Sequence, residues 1–125
     1  AMDGRTDARE LVDPALDVRY LPPPPKAGSF ATVRAMRTLL ARERPDLVLT
    51  YNFGAIDSVF AARSLGLPRV HHEDGFLPDE AHGFKRRRIW LRRAAFGAAT
   101  DVVVISRNLE RIARDGRVDA VDEKP

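Results

Sequence analysis

Short apolar runs alternate along the chain with longer stretches in which apolar residues recur every three or four positions. Residues 17–21 read as a short strand, which the prolines at 22–25 end because they cannot continue a ladder. Ser29 then stands where a cap would open a helix to residue 43, with Val33, Met36, Leu39 and Leu40 at helical spacing. Arg44-Pro45-Asp46 breaks that helix, and the nearly all-apolar run 47–51 predicts a central strand buried on both faces. A helix over 54–65 follows, its inner face drawn from Ile56, Val59 and Phe60, and Gly66-Leu67-Pro68 is its stop. Residues 69–73 predict the next strand. The helix after it spans 84–98, with Trp90, Leu91, Ala94, Ala95 and Ala98 on one side. A Val-rich strand over 101–105, a cap at Ser106 and a helix over 107–114 complete the series.

This alternation is the signature of βαβ units. It predicts an α/β, Rossmann-like fold: a mainly parallel sheet with helices on both faces, in one domain of 125 residues. In open parallel sheets, ligands collect beyond the carboxyl ends of the strands. Three polar segments belong at that rim: 51–54, 71–76 and 106–108.

Composition narrows the chemistry. The absence of cysteine removes disulfides, thiolate nucleophiles and cysteine-based zinc sites. No apolar run approaches about 18 residues and the first residues lack a signal-peptide core, so the chain reads as cytoplasmic. Its net charge of +3 is concentrated in 85–88 and 92–93, which argues against a diffuse nucleic-acid footprint. A basic helix carrying a tryptophan suits either an anionic membrane surface, making the protein peripheral at the inner face, or a phosphorylated acceptor, with Lys85, Arg88 and Arg92 as contacts. The alternative is a solvated charged face. Neither G-x-G-x-x-G, G-x-x-x-x-G-K-[ST] nor G-x-S-x-G occurs, so dehydrogenase, P-loop NTPase and α/β-hydrolase readings lose their main support.

The segment from His71 to Glu80 gathers imidazoles and carboxylates at a strand end. Because side chains alternate along a strand, His72 shares a side with Asp74, and these two are the candidates for acid–base work. Glu73 is a candidate acceptor for sugar hydroxyls, with Gly75 allowing the turn, unless the carboxylates merely cap that turn. A metal set of His71, His72, Asp74 and His82 is disfavoured because adjacent histidines point apart. Tyr51, Asn52 and Gly54 lie where a strand feeds a helix, so Asn52 is a ligand contact, a cap or both; Ser106 has the same two readings.

Taken in order, Arg44-Pro45-Asp46-Leu47-Val48-Leu49-Thr50-Tyr51-Asn52, Ala61-Ala62-Arg63-Ser64-Leu65-Gly66-Leu67-Pro68, His72-Glu73-Asp74-Gly75-Phe76 and Val102-Val103-Val104-Ile105-Ser106-Arg107-Asn108-Leu109 resemble the N-terminal domain of the family 4 glycosyltransferases. The resemblance implies a retaining GT-B enzyme. In such an enzyme an N-terminal domain holds a sugar or lipid-linked acceptor, a C-terminal domain holds the nucleotide-sugar donor, and neither a cofactor nor a metal is required. It places the family's first strand before Ala1 and the donor domain after Pro125, making the chain a partial domain that is inactive alone and prone to self-association through open strand edges. Asn52 and the 72–74 turn would then face the cleft, and Asp74 stands where many relatives carry histidine. The competing reading is a noncatalytic α/β binding or regulatory module that uses the basic helix for a partner.

Overall fold

The computed structural model describes residues 7–24, 28–75 and 86–115. Three strands, β1 (Val48–Tyr51), β2 (Arg69–Glu73) and β3 (Asp101–Val104), form a parallel sheet in the order β1-β2-β3. Between and around them run α1 (Ser29–Glu43), α2 (Ile56–Ser64), α3 (Arg86–Ala98) and α4 (Arg107–Asp115). This is the α/β, Rossmann-like arrangement that the alternation predicts.

Helix ends follow local chemistry. At the end of α1, Arg44 takes a left-handed conformation (φ 50°, ψ 52°), and its N–H bonds Leu40 O at 2.9 Å before Pro45 stops the helix. Gly66, at φ 69°, closes α2 by a paired motif: its N–H reaches Arg63 O and the Leu67 N–H reaches Ala62 O, both at 3.0 Å. Ser29 does not cap α1 as expected. Gly28, extended at φ −65° and ψ 159°, is the flanking residue, and Ser29 is already helical.

Register sorts the strand residues into two faces. Val48, Thr50, Arg69, His71, Glu73, Val102 and Val104 share one; Leu49, Tyr51, Val70, His72, Asp101 and Val103 share the other. α2 packs on the first face through buried Ile56, Val59, Ala61 and Ala62. α1 packs on α2, where Leu40, Val48, Ala61 and Ala62 form a cluster flanked by Val33, Met36, Leu65 and Leu67. α3 brings buried Ala95 and Ala98 against α2. On the second face, Leu49 is 51% exposed, Tyr51 52% and Val103 42%, so among the described residues this face stays open and the expectation of helices on both faces is corrected.

Three further expectations are corrected here. Residues 17–21 are irregular rather than a strand, held by the Arg19–Glu43 ion pair and by Arg9 over the Tyr20 ring. Consequently, among the described residues β1 is an edge strand rather than a central one, and it is buried on one face only. α3 is also rotated from the stripe read in the sequence. Trp90 is 69% exposed while Arg92 is buried, because the contact face runs through Leu91, Arg92, Ala95 and Ala98.

Candidate functional site

Because all three strands are parallel, the turns after them open at one end of the sheet. β1 runs out at Asn52, whose backbone (φ 59°, ψ 175°) lies in a region that non-glycine residues avoid at a cost of about 1–3 kcal/mol. Neighbours hold it there. Its N–H donates to His72 O at 2.8 Å, and its carbonyl accepts from Ala55 N–H at 3.1 Å, which starts the short 3₁₀ turn Phe53–Ala55. Its side-chain Oδ1 accepts from the Asp74 N–H at 2.9 Å, and Nδ2 donates to Asp74 Oδ2 at 3.4 Å. The Asn52 side chain therefore clamps two strand ends rather than capping α2, and it presents an exposed amide and carboxylate side by side. Gly75 leaves this turn at φ 152°, a conformation that favours glycine.

The other rim residues divide by register. The rings of Tyr51 and His72 stack with centroids 4.6 Å apart and planes 25° apart, on the sheet face that Leu49 and Val103 also share. His71 points the opposite way and is fully buried: its Nδ1 is 2.8 Å from Thr50 Oγ1, and its ring meets Phe96. The two histidines thus part as alternation requires, and His82 lies outside the described residues. Ser106 is the cap of α4, its hydroxyl accepting from the Leu109 N–H at 3.2 Å. Gly54 sits exposed in the 3₁₀ turn, with room for a ligand close to its backbone.

Glu73 and Arg92 leave the surface roles expected of them. Glu73 is 2% exposed and Arg92 6%, and Arg92 Nε donates to Glu73 Oε2 at 2.9 Å. A buried carboxylate needs such a partner, and the helical rotation of α3 supplies it. The guanidinium groups of Arg88 and Arg92 also lie over the Phe53 ring, at 5.0 and 5.3 Å. Arg88 is half-buried, and Lys85 lies outside the described residues. Sequence reasoning placed Phe53 at the rim within 51–54 but missed Thr50 and Asp57. Asp57 has a carboxyl pushed above its ordinary value by burial, an effect that a hydrogen bond from Ser29 partly offsets. The signal was there in principle, since Asp57 follows Asn52 at the distance that puts it in the first turn of the next helix.

A parallel α/β sheet whose polar turns are clamped together at its carboxyl rim is a Rossmann-like domain. The chain belongs to the glycosyl transferase 4-like domain family, which matches residues 1–123. It is also 35% identical, over 79 residues, to a UDP-N-acetylglucosamine--N-acetylmuramyl-(pentapeptide) pyrophosphoryl-undecaprenol N-acetylglucosamine transferase of Gloeobacter violaceus. That alignment covers 62% of this chain and 22% of the relative. No solved structure matches the chain.

Proposed function

We propose that the chain is the acceptor-side region of a glycosyltransferase that moves a sugar from a nucleotide-sugar donor to a sugar or lipid-linked acceptor. The observation that carries this reading is the Asn52–Asp74 clamp. It holds a carboxylate and an amide, oriented and exposed, at the rim where such folds receive ligands. Sugar hydroxyls both donate and accept, so a fixed carboxylate beside a fixed amide suits them. Asp74 accepts the proton of the attacking hydroxyl, and His72 stands two residues earlier on the same side, on its Tyr51 support. Family membership and the relative's lipid-linked substrate favour this acceptor class. The donor is held by a region outside this chain, no cofactor takes part, and the hydroxyl attacks from the face that the nucleoside diphosphate leaves, its proton passing to Asp74 and the diphosphate departing, so that configuration is retained.

Heteronuclear NMR on the chain tests this directly. A prenyl-diphosphate-linked sugar should shift the amides of Asn52, Asp74 and Gly75, and a nucleotide sugar should bind only weakly. Tight nucleotide-sugar binding with a silent rim would overturn the assignment.

A lipid-linked acceptor also brings the protein to a membrane surface. No helix among the described residues is long and apolar enough to cross a membrane. The outer side of α3, however, exposes Trp90 beside exposed Arg93, an aromatic and cationic combination suited to an anionic interface. Trp90→Ala should weaken co-sedimentation with phosphatidylglycerol vesicles severalfold; unchanged binding would remove this contact from the account.

A further inference from the structure

The first turns of α1 and α2 and the first two turns of α3 meet around a cavity of about 240 Å³, lined by Ser29, Phe53, Ile56, Asp57, Arg87, Arg88 and Leu91. Its lining is chemically mixed in a particular way. Arg87 and Arg88 supply cationic forks suited to a phosphate, and the helix starts add partial positive charge. A bare anion would nevertheless meet the Asp57 carboxylate across the same space. The ligand that satisfies both must carry an anionic group and hydrogen-bond donors together.

Ile56, Leu91 and the Phe53 ring provide apolar surface for ring C–H groups, and Phe53 is fixed by the guanidinium groups over it. Burial disfavours the charged form of Asp57, so a hydroxyl donor arriving there replaces lost hydration. The volume falls below the roughly 300–1,000 Å³ of complete small-molecule sites, which suits one sugar phosphate and not a whole nucleotide sugar. Phe53 follows Asn52 directly, so the cavity adjoins the rim.

We propose that this cavity binds the phosphate-bearing sugar of the acceptor, with Arg87 and Arg88 on the phosphate and Asp57 on a ring hydroxyl. This rests on the glycosyltransferase reading and deepens it by naming where the acceptor's charged part sits.

The test is an NMR titration of the chain with glucose 1-phosphate, glucose and inorganic phosphate. Glucose 1-phosphate should shift the amides of Ser29, Asp57 and Arg88, and should bind at least tenfold more tightly than either of its parts. Arg87→Gln combined with Arg88→Gln should lower that affinity at least tenfold without changing the binding of glucose. Arg87→Gln alone, at an exposed position, should lower it severalfold with an otherwise unchanged spectrum. Asp57→Asn should weaken the sugar phosphate but not inorganic phosphate. Phosphate binding as tightly as the sugar phosphate, or affinity indifferent to Arg87→Gln, would overturn the proposal. Shifts confined to Asn52 and Asp74 would sink the cavity and leave the rim reading intact, whereas no shift with any sugar would sink both. The same sugar on a short prenyl diphosphate identifies the source: tighter binding marks a lipid-linked acceptor, and equal binding a soluble one.

Discussion

The two faces of the sheet invert the usual arrangement. Toward the helices, the carboxyl half of the sheet buries polar groups: Thr50, His71 and Glu73, with Arg92 reaching in from α3. Away from them, it shows apolar and aromatic ones: Leu49, Tyr51 and Val103. The inner face is therefore held by specific pairs that no apolar substitution replaces singly, while the outer face contributes little to the stability of the chain itself. The rim sits where the two meet. Asn52 and Asp74 are positioned by their bonds to each other and by the Asn52 N–H to His72 O bond, with Phe53 beneath Arg92 and buried Glu73 as their chain neighbours.

Breaking the inner network should have the largest effect. Glu73→Ala leaves the Arg92 guanidinium buried without its carboxylate and should cost about 3–5 kcal/mol in urea unfolding. Thr50→Val removes the partner of His71 Nδ1 and should cost about 1–3 kcal/mol. On the outer face, Leu49→Thr should change stability by no more than about 0.5 kcal/mol, because the side chain is already half in water. A loss on the outer face equal to that on the inner would erase the contrast.

Asp57 sharpens it through pH. Its carboxyl is raised above 3.8 mainly by burial, so the folded chain holds this proton more tightly than the unfolded chain does. Its contribution is fully present below pH 3.8 and is lost as pH rises through the raised value. Asp57→Asn should flatten that part of the stability–pH curve. An identical curve in the variant would contradict the assigned environment.

Much of the fold was legible because period and punctuation agree. The bounds of α1 and β2 match the reading, and Gly66-Leu67-Pro68 ends α2 as glycine and proline chemistry requires. The errors share one cause, which is that burial depends on neighbours that a single segment does not reveal. The run 47–51 is apolar enough for burial on both faces, yet β1 has no strand on its outer edge and open space over Leu49 among the described residues. Trp90 and Arg92 differ by two positions, so they face nearly opposite sides of α3, and Arg92 turns inward with Ala95 and Ala98, where it meets the buried carboxylate of Glu73. At the site, alternation correctly separated His71 from His72. The Asn52–Asp74 contact spans 22 positions and had no local signature.

The central claim is that Asp74, held by Asn52, receives an acceptor hydroxyl. The most direct measurement is the affinity of Asp74→Ala for the prenyl-diphosphate-linked sugar, with folding monitored by urea unfolding. A loss of at least about tenfold in affinity, equivalent to about 1.4 kcal/mol, with near-native stability is the predicted result. Unchanged affinity in a folded variant would contradict the account.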